Sequence, residues 1–249
     1  MNSQRYLARI GIVDEGERDI GFLGRLQARH ATEIPFENLD ILAGIPLSLD
    51  ASDLYRKIVI YRRGGVCYEL NGLFHLLLGD LGYSVSLAAA TVYVNGEWFI
   101  EETHAMNVVR LEGADYLVDV GFGGNTLRRP IPLTGEEISD VDGAYRIRPD
   151  PSDRDRKILE KKETAEWEKL YRFTLRSKSP VDFGEVSAMT QCGERSIFNK
   201  TLFLMILTDR GRVTLRDHSL TSVEDGRKKK ETIEPDKVTS LIHDTFKIG

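Results

Sequence analysis

Apolar residues recur along the chain with two periods, and the change of period divides it. Up to about Gly82 the spacing is helical and β-branched residues are sparse. The clearest segment follows Gly64-Gly65, where Leu70, Leu73, Phe74, Leu77, Leu78 and Leu81 repeat at steps of three and four. That spacing predicts a helix with one buried stripe, closed by Gly82 in a C-cap manner. From about Ser84 to Arg176 the pattern turns strand-like, in runs over Ser84 to Val94, Trp98 to Ile100, Ala105 to Leu111 and Tyr116 to Val120. Asn95-Gly96 is a two-residue hairpin signal between two of these runs, and Gly113 marks a further turn. The stretch Pro149 to Lys162 is charged and Pro-bearing and reads as an exposed, mobile excursion. From roughly Val186 onward a strand over Leu202 to Thr208, a turn at Asp209-Arg210-Gly211, a strand over Val213 to Arg216 and a short helix after Pro235 suggest a smaller lid. The expectation is an α+β chain in three units, 1–83, 84–185 and 186–249.

Composition narrows the class. The chain has 249 residues, 41% apolar and 29% charged, enough for a sizeable core and unlike a disordered chain. With 34 Lys and Arg against 39 Asp and Glu the formal charge is −5, so neither nucleic acid nor an anionic membrane is an expected partner. Lys228-Lys229-Lys230, between Asp225-Gly226 and Glu231, reads as a solvated hairpin turn. Cys67 and Cys192 are too few for a disulfide framework or a thiolate zinc site, and the acids and histidines show no ligand spacing, so no metal is expected. The longest aliphatic run, Leu202 to Leu207, is far short of a membrane span, and the N-terminus lacks a signal-peptide core, which points to the cytoplasm. The glycines at 121, 123 and 124 follow a strand, but Asn125 to Pro130 is not a helix start, so they do not form a nucleotide-phosphate loop.

Candidate chemistry begins at Cys67, in the first turn of the strongest helix, where free peptide N–H groups and the helix dipole favour a thiolate. Its base must come from His30, His75, His104, His218 or His243. His75 lies eight residues along the same helix, roughly 12 Å up the axis, too far to serve. His104 opens a strand, and Asp119 lies inside another apolar strand, where a carboxylate calls for a partner. A turn centred on Gly113-Ala114 puts both side chains on one face of the hairpin but about 13 Å out of register. Contact therefore requires the turn to centre nearer Leu111-Glu112, or a bulge.

Several blocks together carry a family resemblance. Arg63-Gly64-Gly65-Val66-Cys67-Tyr68-Glu69-Leu70-Asn71 matches an RGGxCxExN signature, joined in order by Ile34 to Leu39, Thr103-His104 and Asp119-Val120-Gly121-Phe122-Gly123. In these blocks the chain resembles the arylamine N-acetyltransferases, densely over its first half and more weakly through Ser196-Ile197-Phe198 and the terminal helix. The resemblance implies an N-terminal helical bundle, a central antiparallel β-barrel and a C-terminal α/β lid around a cysteine-protease-like core. By matching positions it implies a triad of Cys67, His104 and Asp119. It further implies ping-pong transfer of an acetyl group from acetyl-CoA, a co-substrate and not a bound cofactor, through acetyl-cysteine to a small aromatic amine or an arylhydrazine. Phe36, Thr103, Gly121, Phe122, Gly123, Gly124 and Phe198 would line the substrate pocket. Arg63, Glu37 and Asn38 read as a buried structural network, since charges beside apolar residues must be paired. The alternative is an amide synthase of polyketide assembly, using the same triad with a carrier-bound acyl donor. A papain-like hydrolase lacks these blocks, and a non-catalytic binding protein has no need of all three chemical groups.

Overall fold

A computed structural model describes residues 1–14, 16–163 and 165–248. The N-terminal part contains α1 (Ser3–Arg9), α2 (Ile20–Glu33), a two-residue strand β1 (Phe36–Glu37), α3 (Leu39–Leu42), α4 (Ala51–Tyr55), which runs on as a π-helical turn over Arg56–Ile60, and α5 (Cys67–Asp80). Asp19 and Asp50 cap α2 and α4 by accepting from first-turn N–H groups. The stripe predicted for α5 understates it: ten of its fourteen residues are buried, because it runs through the largest core. Leu70, Leu73, Phe74 and Leu77 pack there with Phe22, Leu23 and Leu26 of α2.

Antiparallel strands follow: β2 (Ser84–Val94), β3 (Glu97–Trp98), β4 (His104–Leu111), β5 (Ala114–Val118), β6 (Ile131–Pro132), β7 (Ile138–Asp140), β8 (Gly143–Asp150), β9 (Asp153–Lys162) and β10 (Glu168–Phe173). Their order is β6-β5-β4-β2-β10-β9-β8-β7 with β3 on β2, a sheet curled into a nearly closed barrel. The segment expected as an exposed excursion is instead the end of β8, a turn and β9: its turn end is exposed, but Ile158 to Lys161 are buried. Ile147 pairs with Leu159 and both are buried inside the barrel, while Arg146 and Arg148 meet the buried carboxylate of Glu160. Glu160 is thus paired across the ladder, and Arg156 meets Glu101 and Asp153.

The first hairpin turns at Asn95-Gly96 as expected, both residues having positive φ, 53° and 89°. The second turn centres on Glu112-Gly113, since Leu111 pairs with Ala114, between the two placements considered from sequence. Strand β5 ends at Val118, and Asp119 lies just beyond it, diagonal to His104.

The C-terminal part holds α6 (Gly184–Cys192), β11 (Phe203–Thr208), β12 (Gly211–Arg216), β13 (Ser219–Glu224), β14 (Arg227–Thr232) and α7 (Val238–Phe246). The sheet order is β1-β11-β12-β13-β14, so Phe36 of the helical part pairs with Met205. Leu204, Ile206 and Leu215 form a small core with Phe246 of α7. Lys228-Lys229-Lys230 lies in the edge strand β14, with the turn at Asp225-Gly226 before it. Lysines on an edge strand discourage pairing with another chain. No helix among the described residues is long and apolar enough to cross a membrane.

Candidate active site

The site forms where the start of α5 meets the start of β4 and the loop after β5. Cys67 is the first helical residue, so its N–H has no intrahelical acceptor. Two residues on, Glu69 reaches back to accept from the Val66 N–H at 3.0 Å, which pins the start of the helix. Glu69 in turn meets Lys57, which also meets Asp40, and Arg63 joins Asp40 to Glu37, each pair within 2.9 Å. Arg63 and Glu37 are thus structural, as expected. Asn38 ties down a different segment: it donates to the carbonyls of Phe198 and Thr201, both at 2.7 Å, and accepts from the Phe203 N–H at 2.8 Å.

His104 and Asp119 are buried, and Nε2 of the imidazole lies 2.7 Å from Oδ2 of the carboxylate. The same Oδ2 accepts from Tyr171 at 3.0 Å, while Oδ1 accepts from Nδ2 of Asn71 and from the Gly121 N–H, both at 2.9 Å. These bonds fill the carboxylate's accepting positions and fix its plane. Burial alone would lower the His104 pKa, but the charge and hydrogen bond of Asp119, helped by neighbouring Cys67, push it up to about 10. Burial alone would raise Asp119, and its hydrogen bonds with the imidazolium charge hold it below the usual carboxylate range. The arrangement favours the charged imidazole. His30 is the opposite case, buried between Tyr6 and Phe74 and lowered to about 3, chiefly by desolvation. His218 and His243 are exposed.

Gly121 has a steric role. A Cβ there would sit 2.8 Å from Asn71 Nδ2 and 2.9 Å from Cys67 Cα, so only glycine lets this loop pass over Cys67. Cys67 and His104 open into a cavity of about 580 Å³, within the range of small-molecule sites. Phe36, Thr103, Gly121, Phe122, Gly123, Gly124 and Phe198 all line it. Val92, Phe99, Ile100, Met189, Ile197 and Phe203, none of them expected in the pocket from sequence, complete much of its apolar wall. Phe122 stands edge-on to both His104 and Tyr171, with ring centres 4.8 Å away in each case. Asn71 and Tyr171 join the site without having been expected there. Asn71 was within reach, since a residue four beyond Cys67 on a helix shares its face, whereas nothing local marks Tyr171.

A helical segment presenting a cysteine to a histidine and a carboxylate on a β-barrel defines the class: α+β enzymes with a cysteine-protease-like core. Within that class, the family model described as N-acetyltransferase matches residues 19–249, and the chain belongs to that family, the arylamine N-acetyltransferases. It is similar to the arylamine N-acetyltransferase of Mycolicibacterium smegmatis, at 37% identity over 222 residues, 86% of this chain and 80% of the relative. Arylamine N-acetyltransferase C from Bacillus anthracis has a similar structure, with a TM-score of 0.93, 31% identity and coverage of 100% of this chain and 99% of that one. The Mycobacterium marinum arylamine N-acetyltransferase, solved in complex with CoA, superposes with a TM-score of 0.92 at 32% identity, covering 99% and 93%. The protein is an acetyltransferase enzyme.

Proposed function

We propose that this chain transfers the acetyl group of acetyl-CoA to aromatic amines, and to arylhydrazines, by a ping-pong reaction through Cys67. The observation that carries the reading is the 2.7 Å bond of buried His104 to Asp119, with Cys67 and His104 opening together into one apolar cavity. In the first half-reaction the Cys67 thiolate attacks the thioester carbonyl of acetyl-CoA. The tetrahedral intermediate collapses, the carbon–sulfur bond to coenzyme A breaks, and the leaving thiolate takes a proton from His104. In the second, an amine attacks the acetyl-cysteine, His104 takes the amine's proton, and Cys67 leaves as thiolate. The Cys67 N–H, free at the helix start, is a donor for the oxyanion. Asp119 keeps the imidazole oriented and stabilises its charged form. Phe36, Phe122, Phe198 and Phe203 supply aromatic faces and edges for the acceptor ring. The same reading divides the chain into a nucleophile-bearing unit over 1–83, a unit with His104 and Asp119 over 84–185 and a lid over 186–249.

Steady-state kinetics test this. Initial rates with acetyl-CoA and an arylamine varied together should give parallel double-reciprocal lines, the pattern of a covalent intermediate. Intersecting lines contradict ping-pong transfer. Absence of turnover with acetyl-CoA, but transfer from a pantetheine-bound acyl donor on a carrier, would move the assignment to amide synthesis.

A further inference from the structure

The interface between α5 and β4 is apolar except for polar side chains that include two the reaction scheme does not use. Asn107 is fully buried on the face of β4 that also carries Ala105 and Val109, and His75 is half-buried on α5. A leucine or valine is the ordinary choice at such a strand position, since a buried amide is costly unless its polar atoms are bonded.

Asn107 is bonded at both ends. Its Nδ2 donates to the Asn71 carbonyl at 3.0 Å and, at the longer distance of 3.4 Å, to Asn71 Oδ1, while its Oδ1 lies 3.2 Å from His75 Nδ1. A carbonyl only accepts, so Asn107 must turn its amide nitrogen toward Asn71 and its oxygen toward His75, whose Nδ1 then carries the proton. Asn71 is oriented by the same logic: its Nδ2 donates to the Ala105 carbonyl at 2.8 Å and to Asp119 at 2.9 Å, and its Oδ1 accepts from the Val120 N–H at 3.1 Å. The donors therefore run one way, from His75 through Asn107 and Asn71 to the carboxylate that holds His104.

These bonds also join two elements whose spacing matters. Helix α5 carries both Cys67 and Asn71, one turn apart, and β4 carries both His104 and Asn107. Sliding the helix along the strand would break the Asn107 bonds and separate sulfur from imidazole together. An apolar pair at this position would resist such sliding less, because dispersion contacts are not directional.

We propose that His75 and Asn107 are positioning residues, a polar rung that sets the register of the Cys67 helix on the His104 strand and holds Asn71 toward Asp119. The proposal rests on the acyl-transfer reading, in which His104 and Cys67 act together. His75→Leu and Asn107→Leu remove the rung, and His75→Asn restores a donor close to the Nδ1 position. The first readout is the titration midpoint of the His104 imidazole by NMR, which requires no turnover. The midpoint should fall in both leucine variants and recover in His75→Asn. The rate of Cys67 acetylation should fall about five- to tenfold in the leucine variants, the worth of one hydrogen bond, with the KM for acetyl-CoA unchanged. A folded His75→Leu protein with an unchanged or raised His104 midpoint overturns the proposal. So does a lower Tm as the sole effect, which marks ordinary packing. If the wild type is not acetylated at all, the reaction is at fault, and the His104 midpoint still tests the rung.

Discussion

Replacing Asp119 by Asn removes one charge at constant shape, and the structure indicates how much should be lost. The carboxylate accepts four hydrogen bonds, from His104, Tyr171, Asn71 and the Gly121 N–H, between 2.7 and 3.0 Å. An amide has one oxygen, so in either orientation its NH2 group faces two donors. With NH2 toward His104, the imidazole must present an unprotonated Nε2, which moves the proton to Nδ1 and removes the base from Cys67. With NH2 the other way, the charge that offsets burial is still missing, and His104 falls from about 10 to below its ordinary value. Either arrangement removes the imidazolium from the neutral enzyme. Turnover should drop by about 10³- to 10⁴-fold, the scale seen when the acid of a serine-protease triad is amidated. The assay is the single-turnover rate of Cys67 acetylation, with circular dichroism confirming the fold. A folded Asp119→Asn protein retaining more than about a tenth of the wild-type rate would refute the orienting and charge-stabilising role of Asp119.

Other consequences are equally specific. Gly121→Ala places a Cβ 2.9 Å from the Cys67 Cα, so the loop must move off the nucleophile; acetylation should fall at least tenfold with Tm changed little, which rate measurement and calorimetry check together. Asn38→Ala strips three hydrogen bonds from the pocket wall at 198–203 and should cost about 2–4 kcal/mol in urea unfolding, with a raised KM for the acceptor. The raised His104 pKa contributes stability that is fully present below its unfolded value of about 6.5 and is lost as pH climbs toward 10. Unfolding free energy should thus decline across that window, and the decline should flatten in Asp119→Asn.

Where local pattern and tertiary role agree, the sequence was legible. Helix α5 announced itself through leucine spacing and a glycine pair, and Cys67 at its start followed from that alone. The hairpin at Asn95-Gly96 was equally plain, because its positive φ angles favour those residue types. Strand β9 reads as an excursion because charged residues surround its short apolar run, so charge conceals the buried Ile158 and Leu159. Strand β1 has two residues, too few to show any period, yet it stitches the helical part into the C-terminal sheet. The meeting of His104 with Asp119 depended on a turn placed one residue earlier than Gly113-Ala114, a shift that no propensity decides. Tyr171 reaches the site only because β10 pairs with β2, a contact made across the barrel's long connections.

The proposed reaction turns on Cys67 as the carrier of the acetyl group. Intact-mass spectrometry after brief exposure to acetyl-CoA without acceptor, with Cys67→Ala alongside, tests it most directly. One acetyl increment is expected on the wild type alone, discharged when an arylamine is added. An unmodified wild type, or an increment that persists in Cys67→Ala, would contradict it.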